Sequence, residues 1–421
     1  MGPNTLFDKS FLQSLSVDES VWFDHFFSPV ICPIFYVETL ADLKKTPRAG
    51  SSRTPEDDVR ILAEKTPVLS GAPCAHHMQL CIGNLLGQEA PHLGQVPIAG
   101  GRPVRSKDGK PGVVFQPSPE ANAFSRWQRG QFLEIEHGVA SSWRSMLATL
   151  NLREVGQRMR ALGITPQTCR GVEEAYGVAA CLVHSQAAPE EQLALLFEFV
   201  HIPVQLRGEI HGLWASAGFP PLAKYAPYAA HVLTVELFFQ IALAAGHISA
   251  ERASNRADIA YLFYLPFSHV FVSGDKLHRR CAAPFLKKGQ EFVWAPDLKA
   301  GLSEIDQILS IVPEQEREVG LHKLAPRPPA GADNVASKLW ERYSPGVREE
   351  ERTVLDMDAA GERKLVDHVD EFAKAATAPE VAGIPSDELH SLTIERLVPP
   401  KRGKWWLIPK SVADDPRNRS G

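Results

Sequence analysis

The sequence predicts an α/β protein with a parallel sheet flanked by helices. Three apolar, β-rich runs carry that expectation: 30–37 (VICPIFYV), 269–273 (HVFVS) and 291–294 (EFVW), each followed by a stretch of helical character. Strands that are apolar along their whole length are buried on both faces, and helices between them favour parallel pairing. The balance of the chain is that of a globular protein: 421 residues, 44% hydrophobic, 23% charged, net charge −5. That excludes a fibre, a coiled coil and a protein that coats nucleic acid by bulk positive charge. Six cysteines are too few for a disulfide scaffold at this length, and the acids and lysine within residues 1–20 leave no apolar leader segment, so a cytoplasmic location is expected.

In chain order, the run 30–37 reads as a buried strand that passes into a helix at Glu38. Proline and glycine recur from 47 to 119, with a hairpin or loop at 100–112, and 118–217 reads as mostly helical, with Ser118 as a cap ahead of Pro119. Between Lys224 and Glu251 the only formal charge is Glu236. The stretch is long enough to span a bilayer, but a central carboxylate and Pro227 argue for a buried helix of a protein without a membrane partner. A helix over 249–264 leads into the second strand, which ends in the turn Gly274-Asp275. The third strand stops at Pro296, ahead of another helix. A Pro/Gly-rich linker at 323–335 separates residues 1–322, with a helical insertion at about 47–225, from a C-terminal appendage at 336–421.

Several acids sit where strands end. The crevice of a parallel α/β sheet lies beyond the carboxyl ends of its strands, so Glu38, Asp42 and Asp275 would project towards it. Asp258 comes one helix earlier, and Glu236 is isolated on the apolar helix. Carboxylates that converge repel one another unless a cation holds them. Each also has a plain structural reading. Asp275 can cap a helix, Glu236 can pair in the core, Asp258 can face water, and Glu38 with Asp42 can sit favourably near a helix N-terminus.

The strings IFYVETLAD, TVELFFQIAL and NRADIAYLFYLPFSHVFVSGDKLH together resemble the PIN-like nucleases. The FVSGDK segment is the closest part, similar to that family's strand followed by Thr/Ser-x-Asp-Lys. The resemblance covers about 25–45 and 225–310. It implies a PIN-like parallel sheet, with Glu38, Glu236, Asp258 and Asp275 as the four acids, Asp42 beside them, and Mg²⁺ or Mn²⁺ as cofactor. The implied activity is metal-dependent hydrolysis of RNA, or of single-stranded DNA in its place. The family usually begins with Asp where this chain has Glu38, which leaves open a protein that keeps the sheet and binds nucleic acid or a regulatory partner without cleaving.

Two basic groups are candidate nucleic-acid contacts: Lys276, Arg279 and Arg280 after the second strand, and Lys401, Arg402, Lys404, Trp405 and Trp406 in the tail. Cations can neutralise phosphates while indoles stack on bases; equally, the tryptophans can pack on the body and the cations face water. Cys74, His76, His77 and Cys81 have zinc-ligand chemistry but not finger spacing, and read as a packed helix. Ser216 lacks the first glycine of a nucleophile elbow. No P-loop and no GxGxxG occur, which removes the usual ATPase and dinucleotide readings. Oligomeric state is not legible.

Overall fold

The computed structural model describes residues 2–47, 50, 52–89, 93–185, 189–329, 332–344 and 359–415. The described strands are β1 (Asn4–Phe7), β2 (Ser28–Ile31), β3 (Ala72–Pro73), β4 (Gly101–Arg105), β5 (Pro111–Phe115), β6 (Val270–Ser273), β7 (Glu291–Trp294), β8 (Ser391–Ile394), β9 (Lys401–Arg402) and β10 (Trp405–Trp406). Five form one parallel sheet in the order β3-β2-β1-β6-β7. Leu6 of β1 pairs with Val30 on one side and Phe271 on the other. The chain builds outward from β1 through β2 to β3, then returns to the far side of β1 for β6 and β7. The switch point therefore lies between β1 and β6, and a crevice opens there beyond their carboxyl ends.

The helices used below are α1 (Lys9–Ser14), α2 (Val17–Phe26), α3 (Pro33–Ala41), α4 (Pro55–Lys65), α5 (His77–Leu85), α6 (Pro119–Gln128), α7 (Glu134–Thr149), α8 (Leu152–Ala161), α9 (Val172–His184), α10 (Pro189–Phe199), α11 (Val204–Ser216), α12 (Leu222–Tyr225), α13 (Pro227–Ala244), α14 (Asn255–Ala260), α15 (Lys276–Cys281) and α16 (Ala295–Leu309). Two differences from the sequence reading matter. The run 30–37 is not one strand: β2 stops at Ile31, Cys32 is extended, and Pro33 takes the first helical position of α3. Proline's fixed φ suits that position, and its missing N–H removes a ladder donor from a strand. Glu38 therefore lies on a helix, not at a strand end. The second difference is β1, a four-residue strand at the start of the chain that the sequence reading passed over; it is the centre of the sheet.

Aromatic side chains fill the space under the sheet. Phe7 meets Phe23 and Phe35 edge-on at ring-centre distances of 5.6 and 5.1 Å, and Phe23 meets Phe11 at 5.0 Å. Such geometry adds to burial because ring edges and faces carry opposite partial charge. α13 is apolar all round and packs against α5, α8 and α9. It is long and apolar enough to cross a membrane, yet 83% of it is buried within the protein, as in a core helix. The described residues of 47–225 form helices α4 to α12, but they also supply β3 to the central sheet and the hairpin β4–β5. The C-terminal region returns to that hairpin, where β8 pairs parallel to β5. Of the linker read at 323–335, residues 330 and 331 lie outside the described residues, as do 345–358 and 416–421 of the appendage.

A candidate active site at the sheet switch point

Asp8 follows β1 directly and caps α1. Its Oδ1 accepts the Phe11 N–H at 2.9 Å, and its Oδ2 accepts the hydroxyls of Ser10 and Ser273, both at 2.7 Å. Ser273 ends β6, the neighbouring strand. The next residues, Gly274 and Asp275, turn the chain into α15, and Asp275 Oδ1 accepts the Leu277 N–H at 2.6 Å. The two strands that flank the switch point thus each deliver an aspartate to its crevice.

His278 stands between these strand ends, 1% exposed. Its Nε2 is 2.6 Å from the Asp258 carbonyl oxygen, so that nitrogen must carry a proton. Its Nδ1 is 2.8 Å from Ser273 Oγ. The single Ser273 proton already goes to Asp8, so Nδ1 must donate as well. Both nitrogens therefore carry protons, and the ring is a cation 3.6 Å from Asp8 Oδ2. Burial opposes this charge. The contacts to Asp8 and Asp258 outweigh it and lift the imidazole to about 9. Burial likewise opposes ionisation of Asp8, but His278, Ser10 and the Phe11 N–H hold its carboxyl below the ordinary value.

Glu38 enters from α3 and Asp258 from α14. Glu38 Oε2 accepts the Tyr261 hydroxyl at 2.6 Å, and Lys9 reaches the Glu38 carbonyl at 3.1 Å. Burial pushes the Glu38 carboxyl up, with the Asp8 charge adding to it and Lys9 and Tyr261 opposing. Asp258 is raised as well. Burial, then the charges of Glu38 and Asp275, raise it to about 7 against the pull of His278 and Arg252. Its carboxylate has no hydrogen-bond partner among the described residues. Such a group charges and discharges near neutrality, which is where proton-transfer catalysts are most effective.

Of the acids read from the sequence, Glu38, Asp258 and Asp275 come together here and Glu236 does not. Glu236, 5% exposed on α13, is ion-paired with Arg256, and the charges that act on it are Arg256 and His201. It is the core ion pair that a lone acid on an apolar helix also suggested. Asp42, 6% exposed, is taken by Lys9 at 3.1 Å and Lys45 at 3.8 Å. The residues missed were Asp8, Ser273 and His278. Their signals were present: a short β-rich NTLF run ending on an acid, and the histidine three residues after Asp275. The carboxylates suit Mg²⁺ or Mn²⁺ in kind, being hard oxygen donors. Their spacing does not: among the described residues no three His, Cys, Asp or Glu side chains stand close enough to hold a metal ion. That statement covers Cys74, His76, His77 and Cys81 too, where both cysteines are buried and His77 packs on Phe263 at 4.6 Å.

The two basic groups fare differently. Lys276, Arg279 and Arg280 are exposed on α15, the helix that Asp275 caps, and Arg279 lies over Trp294 at 5.0 Å. The tail strip is folded onto the body. Trp405 is fully buried, edge-on to Trp22 at 4.5 Å, with its indole N–H on Asp306 at 2.9 Å. Lys404 pairs with Asp306 at 2.7 Å, Lys401 with Glu314 at 3.2 Å, and Arg402 is 4% exposed, 4.0 Å from Asp24. Trp406 is covered by Lys401 and Lys410 at 5.5 and 5.8 Å. This strip spends its charges and rings on the protein's own acids and core, which leaves Trp405 no face for a base. No protein-family model, curated protein or solved structure matches the chain.

Proposed function

We propose that the protein is a PIN-like nuclease that hydrolyses RNA phosphodiester bonds at the sheet edge where Glu38, Asp258 and Asp275 influence one another, beside the Asp8–His278 pair. The observation that supports this reading is the coupling of three carboxylates from separate segments at the carboxyl edge of one parallel sheet. Keeping Asp258 half-buried, without a partner and raised to about 7 costs folding energy. Such costs persist chiefly where a group works. Above neutrality the ionised Asp258 takes a proton from an attacking water or ribose hydroxyl, and the exposed cations of α15 hold the phosphate backbone. His278 fixes the two strand ends by gripping Asp8, Ser273 and the Asp258 carbonyl at once.

Mg²⁺ or Mn²⁺ belongs to this proposal as the cation that would relieve the repulsion. Because no three ligands among the described residues stand in position for it, no step is routed through it. The experiment is incubation of purified protein with labelled single-stranded RNA and Mn²⁺, alongside Asp258→Asn and Asp275→Asn. Cleavage by the parent alone supports the reading; equal activity or equal inertness of three folded proteins rejects it. A second reading, binding without cleavage, draws on the same lack of a metal-holding trio and on the engagement of Asp8 by His278. It expects RNA binding in the same samples, with no cleavage and no heat on titration with Mn²⁺.

A further inference from the structure

A cavity lined by three cations and one acid lies one helical turn from these carboxylates. Lys9 and Gln13 are one turn apart on the same face of α1. Lys9 closes the acid side, donating to Asp42 and to the Glu38 carbonyl. Gln13 lines a cavity of about 510 Å³ together with Lys45, Arg53, Asp58 and Lys65. Lys45 belongs to both regions, since its ammonium is 3.8 Å from Asp42. One helical turn is about 5.4 Å, so the two regions are close neighbours.

Lys65 gives the cavity its character. The residue is 7% exposed, and its ammonium donates to the Gln13 carbonyl at 3.1 Å. No carboxylate lies within salt-bridge reach of it among the described residues. Glu19 and Glu64 act on it from farther off, and Glu19 is already bound to Lys299. A buried ammonium without a counter-charge is unfavourable, and lysines are seldom buried unless paired. Three cations against one acid line a cavity of ligand size. Burial and the Lys299 charge depress the Lys65 pKa, a strain that an anion would relieve.

We infer that this cavity is a phosphate-binding subsite, holding a backbone phosphate of the strand whose neighbouring phosphodiester lies at the carboxylates. The strand rests on the nuclease reading; the phosphate rests on the cavity itself.

The test measures a fluorescein-labelled twelve-nucleotide RNA by anisotropy in EDTA across a salt series, and inorganic phosphate by calorimetry. Lys65→Gln keeps a donor for the Gln13 carbonyl but removes the charge, Lys65→Arg keeps the charge, and Lys45→Gln alters an exposed side chain whose loss the fold will bear. Lys65→Gln is expected to bind RNA about tenfold more weakly, with a log–log salt slope shallower by about 0.7, the share of one single-strand phosphate. Lys65→Arg stays within about twofold of the parent, and Lys45→Gln weakens binding in the same direction. Parental affinity and slope in both glutamine variants overturn the subsite, even if RNA is still cleaved. Phosphate uptake that depends on Lys65, without RNA binding, supports the phosphate site and removes the nuclease reading. Binding of neither probe overturns the inference.

Discussion

Replacing Asp258 with asparagine should make the protein more stable while removing the proposed RNA cleavage. The substitution keeps the shape of the side chain and removes the charge that burial, Glu38 and Asp275 disfavour. From an ordinary 3.8 to about 7, the pKa rises by roughly three units. At about 1.4 kcal/mol per unit, the ionised form is disfavoured by up to about 4 kcal/mol in the folded state, and water at its exposed part reduces this to about 2 kcal/mol. The sign follows from proton binding. Between pH 3.8 and about 7 the folded protein holds a proton that the unfolded chain has released, so the parent loses stability as pH rises through that window. The asparagine variant has no such proton. In urea unfolding with EDTA, Asp258→Asn should exceed the parent by about 2 to 4 kcal/mol at pH 8. The gap should close towards pH 4. Equal or lower stability of the variant at pH 8, or a gap that does not change with pH, would refute the account of a strained, unpaired carboxylate.

Other consequences are as direct. His278 is raised from 6.5 to about 9, so its contribution is complete below pH 6.5 and is lost as pH climbs through 9, with a slope of about 1.4 kcal/mol per pH unit. His278→Gln should flatten that alkaline limb of the unfolding profile; an unchanged limb would mean the ring is neutral in the folded protein. Glu236→Ala leaves Arg256, whose side chain is 30% exposed, without its partner and should cost about 1 to 3 kcal/mol, measured by the same unfolding. No loss of stability would mean that the ion pair contributes nothing to the fold. Trp405→Ala should cost about 3 to 5 kcal/mol and leave RNA affinity unchanged once folded, because the ring is a core residue; a selective loss of RNA binding would return the tail to the nucleic-acid surface.

The α/β class was legible from residues whose environment is local. The runs around Phe271 and Phe292 are mostly apolar and rich in β-branched and aromatic residues, which suits strands of a helix-covered sheet. Asp275 could be named because it follows such a run directly, and Asp258 because it lies on the helix that leads into it. The setting of Glu38 was misread for a reason equally local. The run 30–37 looks like one strand, yet Pro33 begins a helix, so Glu38 lies on a helix rather than at a strand end. β1 escaped notice because four residues at a chain start make too short a pattern, although that strand has a neighbour on each side. Glu236 drew attention because a charge on an apolar helix needs a partner. The partner is Arg256, twenty residues on, and no periodicity announces it.

By itself the sequence determined which segments can be strands and helices, because backbone preference and burial are written into neighbouring residues. It also supplied an inventory of acids and bases. Tertiary structure alone decided which of these face one another. Asp8 and Ser273 are 265 residues apart and 2.7 Å in contact because β1 and β6 are sheet neighbours. Whether a carboxylate works, pairs or caps depends on burial and on the charges within a few ångströms, and these are set by the order of strands rather than the order of residues. The same packing puts Trp405 and Arg402 of the tail in the interior and pairs Lys401 and Lys404 with Glu314 and Asp306 at its surface.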